Sequence, residues 1–125
     1  MIKTIASIFI TLAVIAALSC FEMYYIHTSF DKFHDILDGL QSKIQLQLAT
    51  VEDGKTAQRF WNAKKEYLHV WIPHTALVEI DLQMDEAVGL LSVGDLETAS
   101  TKIEVLLGLS KHVPENYTIN FDNIF

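Results

Sequence analysis

The chain has 125 residues, with 9 Lys or Arg, 16 Asp or Glu, 5 His and one Cys. That length fits one domain, and a composition half hydrophobic excludes a disordered chain. A single Cys excludes an intrachain disulfide framework and every multi-Cys zinc or iron–sulfur site.

Between residues 4 and 21, 14 of 18 residues are apolar and none is charged. At about 1.5 Å per residue this run spans about 27 Å, close to a hydrocarbon core of about 30 Å. The sequence therefore predicts a membrane anchor over residues 1–26, with residues 4–21 in lipid and Tyr24 and Tyr25 at the headgroup boundary. Lys3 precedes the run and Glu22 follows it, which by the positive-inside rule puts the N-terminus in the cytoplasm and the rest outside. Two processing alternatives stay open. Ala17-Leu-Ser-Cys20 is similar to a bacterial lipobox, with Ala17 where Leu is preferred, and Ala17-x-Ser19 can serve as a signal peptidase site.

Every acidic residue lies at or after Glu22, so residues 22–125 carry 8 basic against 16 acidic side chains, a formal −8. That balance disfavours nucleic acid and anionic lipid surfaces, since both need a basic patch. Phe30, Phe33, Leu37, Leu40, Ile44, Leu48 and Val51 recur every three or four residues, the stripe of an amphipathic helix. No proline separates this stripe from the apolar run, so one helix is expected to leave the bilayer and continue to about residue 52, with Asp53-Gly54 as a turn. A second helix over about 56–71 places Phe60, Ala63, Lys64, Tyr67, Leu68 and Trp71 on one face, and Pro73 ends it. A third, from about residue 75, carries Leu77, Ile80, Met84, Ala87, Val88 and Leu91. Gly94 fits a helix C′ position and Asp95 an N-cap, which makes a tight link to a fourth helix over about 95–111 with Ala99, Ile103, Leu106 and Leu107 inside.

Pro114 is expected to stop that helix. Residues 115–125 then form an extended tail whose Tyr117, Ile119, Phe121, Ile124 and Phe125 suit docking rather than free motion. The expected fold is all-α: a single transmembrane helix (1–26) continuing into a three- to four-helix bundle (27–114) with a docked tail (115–125). Gly94-Asp-Leu-x-x-Ala99 resembles one tetratricopeptide unit, but no second copy follows, and one αα-hairpin suffices.

Chemistry-bearing patterns are sparse. Glu66-x-x-His69 has di-iron ligand spacing, yet the second copy and the further inward Glu residues such sites need are missing. His27, Asp31, His34, Asp35 and Asp38 fall at helical spacings near the membrane, where they form a solvated acidic face or a weak cation site. His74 follows Pro73 and suits a helix start; His112 beside Lys111 suits a helix C-terminus, where positive charge is favoured. No serine sits in a Gly-x-Ser-x-Gly elbow, Cys20 lies in the anchor, and no glycines cluster into a phosphate loop. Trp61 and Trp71 read as core or bundle-edge aromatics. Neither an enzyme nor a cofactor or metal is expected.

Trp61, then Trp71-Ile-Pro-His74, Glu79-Ile-Asp81, Leu106-Leu107, Lys111-His-Val-Pro-Glu115 and the terminal Asn123-Ile-Phe125 resemble a family of short bacterial proteins, mainly of Firmicutes, catalogued as domain of unknown function 4363. Pro73 departs from that family, which often has a helix-compatible residue there. The resemblance implies a membrane-anchored helical protein with no assigned activity and a membrane-protein partner. The residues thus point to an interaction module, with Phe121, Ile124 and Phe125 as candidate partner-binding side chains. A cation- or ligand-sensing bundle and a cell-envelope lipoprotein are the alternatives.

Overall fold

The computed structural model describes residues 1–117, and the chain is all-α. Four helices follow one another: α1 (Ile2–Gln45), α2 (Val51–Leu68), α3 (His74–Ser92) and α4 (Leu96–Tyr117). Each helix packs on its two ring neighbours, α1 on α2 and α4, α3 on α2 and α4, while the diagonals do not meet. Short links make successive helices antiparallel. The chain order is up, down, up, down, the simplest four-helix bundle.

α1 has 44 residues and is about 66 Å long at 1.5 Å per residue, roughly twice the length of its partners. Its first half projects beyond them. The apolar window near the N-terminus is long enough to cross a membrane, and none of it is buried. A core helix would be mostly covered, so this segment belongs to no core within the described residues. From Ile26, only 1% exposed, the same helix becomes the bundle's spine: Phe30, Phe33, Leu37, Leu40 and Ile44 are all buried. Opposite them lie Ala57, Trp61 and Leu68 of α2, Leu77, Ile80, Met84, Ala87 and Leu91 of α3, and Ala99, Ile103, Leu106 and Val113 of α4. The ring of Phe33 stacks on Trp61 at 5.1 Å between centroids. The Trp61 indole Nε1 donates to Asp81 Oδ1 at 2.7 Å, so the largest core side chain keeps its polar atom paired.

Three expectations need correction. The spine ends at Gln45, not near residue 52, and Leu48 is 67% exposed instead of continuing the stripe. The stop is a Schellman-type cap: Gln47 has φ 58°, its N–H donates to Ile44 O, and Leu48 N–H reaches Lys43 O. Asp53-Gly54 is not a turn. Thr50 and Asp53 form a reciprocal capping box that starts α2 at Val51, and Gly54 is buried where α2 meets α3, with Leu91 Cδ1 2.7 Å from where a Cβ would sit. The inner face of α2 therefore runs through Ala57, Trp61 and Leu68; Phe60 and Trp71 are half-buried, and Ala63 and Tyr67 are exposed.

The third correction concerns Pro114, which lies inside α4; the helix continues to Tyr117. A proline there forfeits one i→i−4 bond, and burial of Val113 and Pro114 against the bundle offsets that loss. Residues 115–117 are thus helical rather than tail. By contrast, the break around Pro73 and the α3–α4 link stand as expected: Gly94 has φ 76°, Asp95 N–H bonds Leu90 O, and Asp95 Oδ1 accepts from Thr98 N–H.

Candidate functional site

The two ends of the bundle differ in what they adjoin. The far end holds the α1–α2 and α3–α4 links. The near end, where the apolar half of α1 departs, holds the α2–α3 corner (residues 69–73) and the last turns of α4. Antiparallel packing fixes this: His34 pairs with Ser110 and Gln41 with Ser100 and Glu104, so Tyr117 ends α4 at about the level of His27.

On one side of the near end an aromatic cluster joins α1 to the α2–α3 corner. Phe21, the last residue of the apolar run, stacks on Tyr25 with centroids 6.4 Å apart. Tyr25 meets Tyr67 edge-on at 6.3 Å and Trp71 at 5.8 Å. Phe21, Tyr25, Tyr67 and Trp71 line a shallow apolar cleft of about 290 Å³. Lys64 Nζ lies 5.7 Å from the centroids of Tyr25 and Phe60, a cation–π arrangement at its upper edge.

On the α1–α4 side a polar cleft of about 400 Å³ is lined by His27, Asp31, His34, Ser110, Lys111, Pro114 and Glu115. The Ser110 hydroxyl donates to Leu107 O at 2.8 Å, and His34 Nδ1 lies 2.9 Å from Ser110 Oγ. With the hydroxyl proton on the backbone carbonyl, Nδ1–H is the donor to Ser110. The pair holds α1 to α4. A serine whose proton is committed to its own helix, and which is buried, is poorly set up as a nucleophile. Deeper in the seam, buried Gln41 donates to Glu104 Oε1 at 2.7 Å and to Ser100 Oγ at 3.0 Å, while its Oε1 has no hydrogen-bond partner among the described residues.

The juxtamembrane set singled out in the sequence is divided by the fold. His27, Asp31 and His34 share the polar cleft; Asp35 and Asp38 are exposed outside it. Glu66 and His69 border a second cleft with His74 and Asp81, yet among the described residues no three His, Cys, Asp or Glu side chains gather into a metal-holding set. His74 opens α3 without a side-chain cap bond. His112 is exposed one turn before the end of α4, 3.7 Å from Glu115. Phe121, Ile124 and Phe125 lie outside the described residues. What the sequence did not show as a unit is the aromatic cluster. Its members were legible singly, but only the hairpin of α1 and α2 sets residues 21–25 against residues 67–71.

Trp61 and Asp81, two of the residues that carry the family resemblance, are hydrogen-bonded and also gather Lys65, whose Nζ lies 3.2 Å from Asp81. Comparison of the chain with family models, with curated proteins and with solved structures finds no match. The resemblance to domain of unknown function 4363 therefore rests on the residues alone.

Proposed function

We propose that this protein is a membrane-anchored, non-enzymatic interaction module whose helical bundle stands outside the cytoplasm and binds a membrane-protein partner in the same bilayer. The observation that carries the reading is continuity: the apolar span and the spine of the bundle are one helix, α1, with no break between Ile2 and Gln45. A bundle joined to its anchor by an unbroken helix is held close to the bilayer surface, which lowers the ordering cost of meeting a partner embedded beside it. The last turns of α4 support the same reading. They end at the near end of the bundle, the end from which the apolar half of α1 departs. Lys3 before the span and Glu22 after it favour the N-in orientation. The proposed kinship with short anchored helical proteins fits this arrangement.

The test is crosslinking and co-purification of the tagged chain from its native membrane, alongside a variant lacking residues 121–125. Loss of partner capture with bundle stability lowered by only about 1–2 kcal/mol is the expected result. Capture at wild-type yield would remove the tail as the binding element. A mature chain beginning at Cys20 with added lipid mass would replace the helical anchor by a lipid one. It would leave the core whole, since burial begins at Ile26.

A further inference from the structure

The α2–α3 corner leaves apolar surface that the bundle does not use. Val70 is 69% exposed and Tyr67 62%, and neither belongs to the core. Trp71 is half-buried, against Tyr25. Exposed aromatic and aliphatic side chains are ordinary when scattered. Tyr67 and Trp71 are not scattered: both meet the ring of Tyr25, which stacks on Phe21, the last residue of the apolar run. Val70 lies beside Trp71 in the same corner. We propose that Tyr67, Val70 and Trp71 enter the headgroup–acyl boundary of the bilayer beside Phe21, Tyr24 and Tyr25, giving the bundle a second membrane contact that fixes its tilt and rotation on the anchor.

The occupant is lipid because the patch is continuous with a segment whose own surroundings are lipid. Tyr67 and Trp71 lie 6.3 and 5.8 Å from Tyr25, one helical turn beyond the last residue of the span, at the level expected for the headgroup boundary. Tyr and Trp favour that depth, where the ring is buried and the polar atom stays wet. The contact is apolar and aromatic rather than electrostatic, in keeping with the formal −8 of residues 22–125, so a zwitterionic surface suffices. Lys64 beside Tyr25 sits at the edge where a headgroup phosphate would lie. One helix alone lets a domain swivel about its axis, whereas a second contact off that axis does not. The far end offers the internal control, for Val93 in the α3–α4 link is 76% exposed at the end of the bundle away from the apolar half of α1.

This inference rests on the span reading, and the test separates the two. In the Cys20→Ala background, a nitroxide is attached in turn at Leu12→Cys, Val70→Cys and Val93→Cys of the full chain, with one chain per phosphatidylcholine nanodisc. Collisions with molecular oxygen report lipid, and collisions with a water-soluble nickel chelate report water. The expected result is high oxygen and low nickel accessibility at Leu12 and Val70, with nickel accessibility several-fold higher at Val93. Adding Trp71→Ser to the Val70 label should move it toward water while circular dichroism stays unchanged. A Val70 label as wet as Val93 overturns the second contact and leaves the anchor standing. Low accessibility to both relaxants at Val70 means that protein covers the patch, which overturns the lipid assignment. A wet Leu12 label overturns the span and this inference with it.

Discussion

The two halves of α1 are equally helical, but residues 2–21 are hydrophobic at 15 of 20 positions and residues 22–45 at 10 of 24, and they solve opposite problems. Before residue 22 the apolar side chains surround the helix and none is buried. After residue 25 they form one stripe, and Ile26, Phe30, Phe33, Leu37, Leu40 and Ile44 carry the core. A helix apolar all round needs an apolar solvent on every side, while a striped helix needs partners on one side and water on the other. The pattern of apolar surface, together with its amount, decides which environment a segment can occupy.

The sharpest way to break that contrast is to make equivalent changes in each half. Phe33→Ala removes a fully buried ring stacked on Trp61 and should cost the bundle about 3–5 kcal/mol in denaturant unfolding. Phe9→Ala, in the exposed half, should leave that unfolding unchanged. Conversely, Leu12→Arg should cost roughly 2.5–3.5 kcal/mol in a membrane-insertion assay and nothing in bundle stability. A membrane association unchanged by Leu12→Arg would mean that residue 12 does not sit in the hydrocarbon core.

Truncation sharpens the same boundary. A chain starting at Glu22 retains every buried residue of the spine, whereas one starting at Phe30 loses Ile26 and Tyr25. Burying Ile26 alone is worth roughly 1.5–3 kcal/mol, so the shorter fragment should unfold at measurably lower denaturant concentration. Equal midpoints would move the boundary of the bundle inward to residue 30.

How much of this was legible in the sequence depended on whether a signal was written in residue type or in backbone geometry. The continuous α1, the spine from Phe30 to Ile44, the inner face of α3, and the Gly94–Asp95 link follow from periodicity and from residues that announce their role. The end of α1 did not. α3 and α1 close with the same Schellman pattern, but α3 places Gly94 at the left-handed position and α1 places Gln47 there. Glutamine carries no stop signal, so the periodicity of Leu48 and Val51 read on past the true end. Asp53-Gly54 misled for a related reason, since the pair serves a cap and a close helix approach instead of a turn. The aromatic cluster was invisible because it joins residues more than forty positions apart in sequence. Gln47 also gives a test. A left-handed side-chain-bearing residue costs about 1 kcal/mol, so Gln47→Gly should stabilise the bundle by roughly that amount. The matching Gly94→Ala should destabilise it, and opposite signs from two thermal melts would establish that the two caps are alike.

The smallest expected effect concerns Asp53, which ties the end of the spine to the start of α2 at the far end of the bundle. Its carboxylate accepts from Lys43 Nζ at 2.9 Å and from Thr50 N–H at 2.9 Å. The Lys43 hydrogen bond, and then that of the Thr50 backbone, hold its pKa below the usual Asp value of 3.8, with a lesser opposing push from burial. The folded state therefore binds the proton less readily than the unfolded chain. The contribution to stability is fully present above the ordinary Asp value and is lost as the pH falls through the folded one. An exposed pair of this kind is worth roughly 0.2–1 kcal/mol. Asp53→Asn should accordingly melt slightly below wild type by a constant margin from about pH 5 to pH 8, a margin that closes in more acid solution. The margin should also narrow in high salt, which screens the Lys43 pair. A margin independent of both pH and salt would mean that Asp53 acts through its capping geometry and not through its charge, and that the α1–α2 junction is held by the Thr50 cap alone.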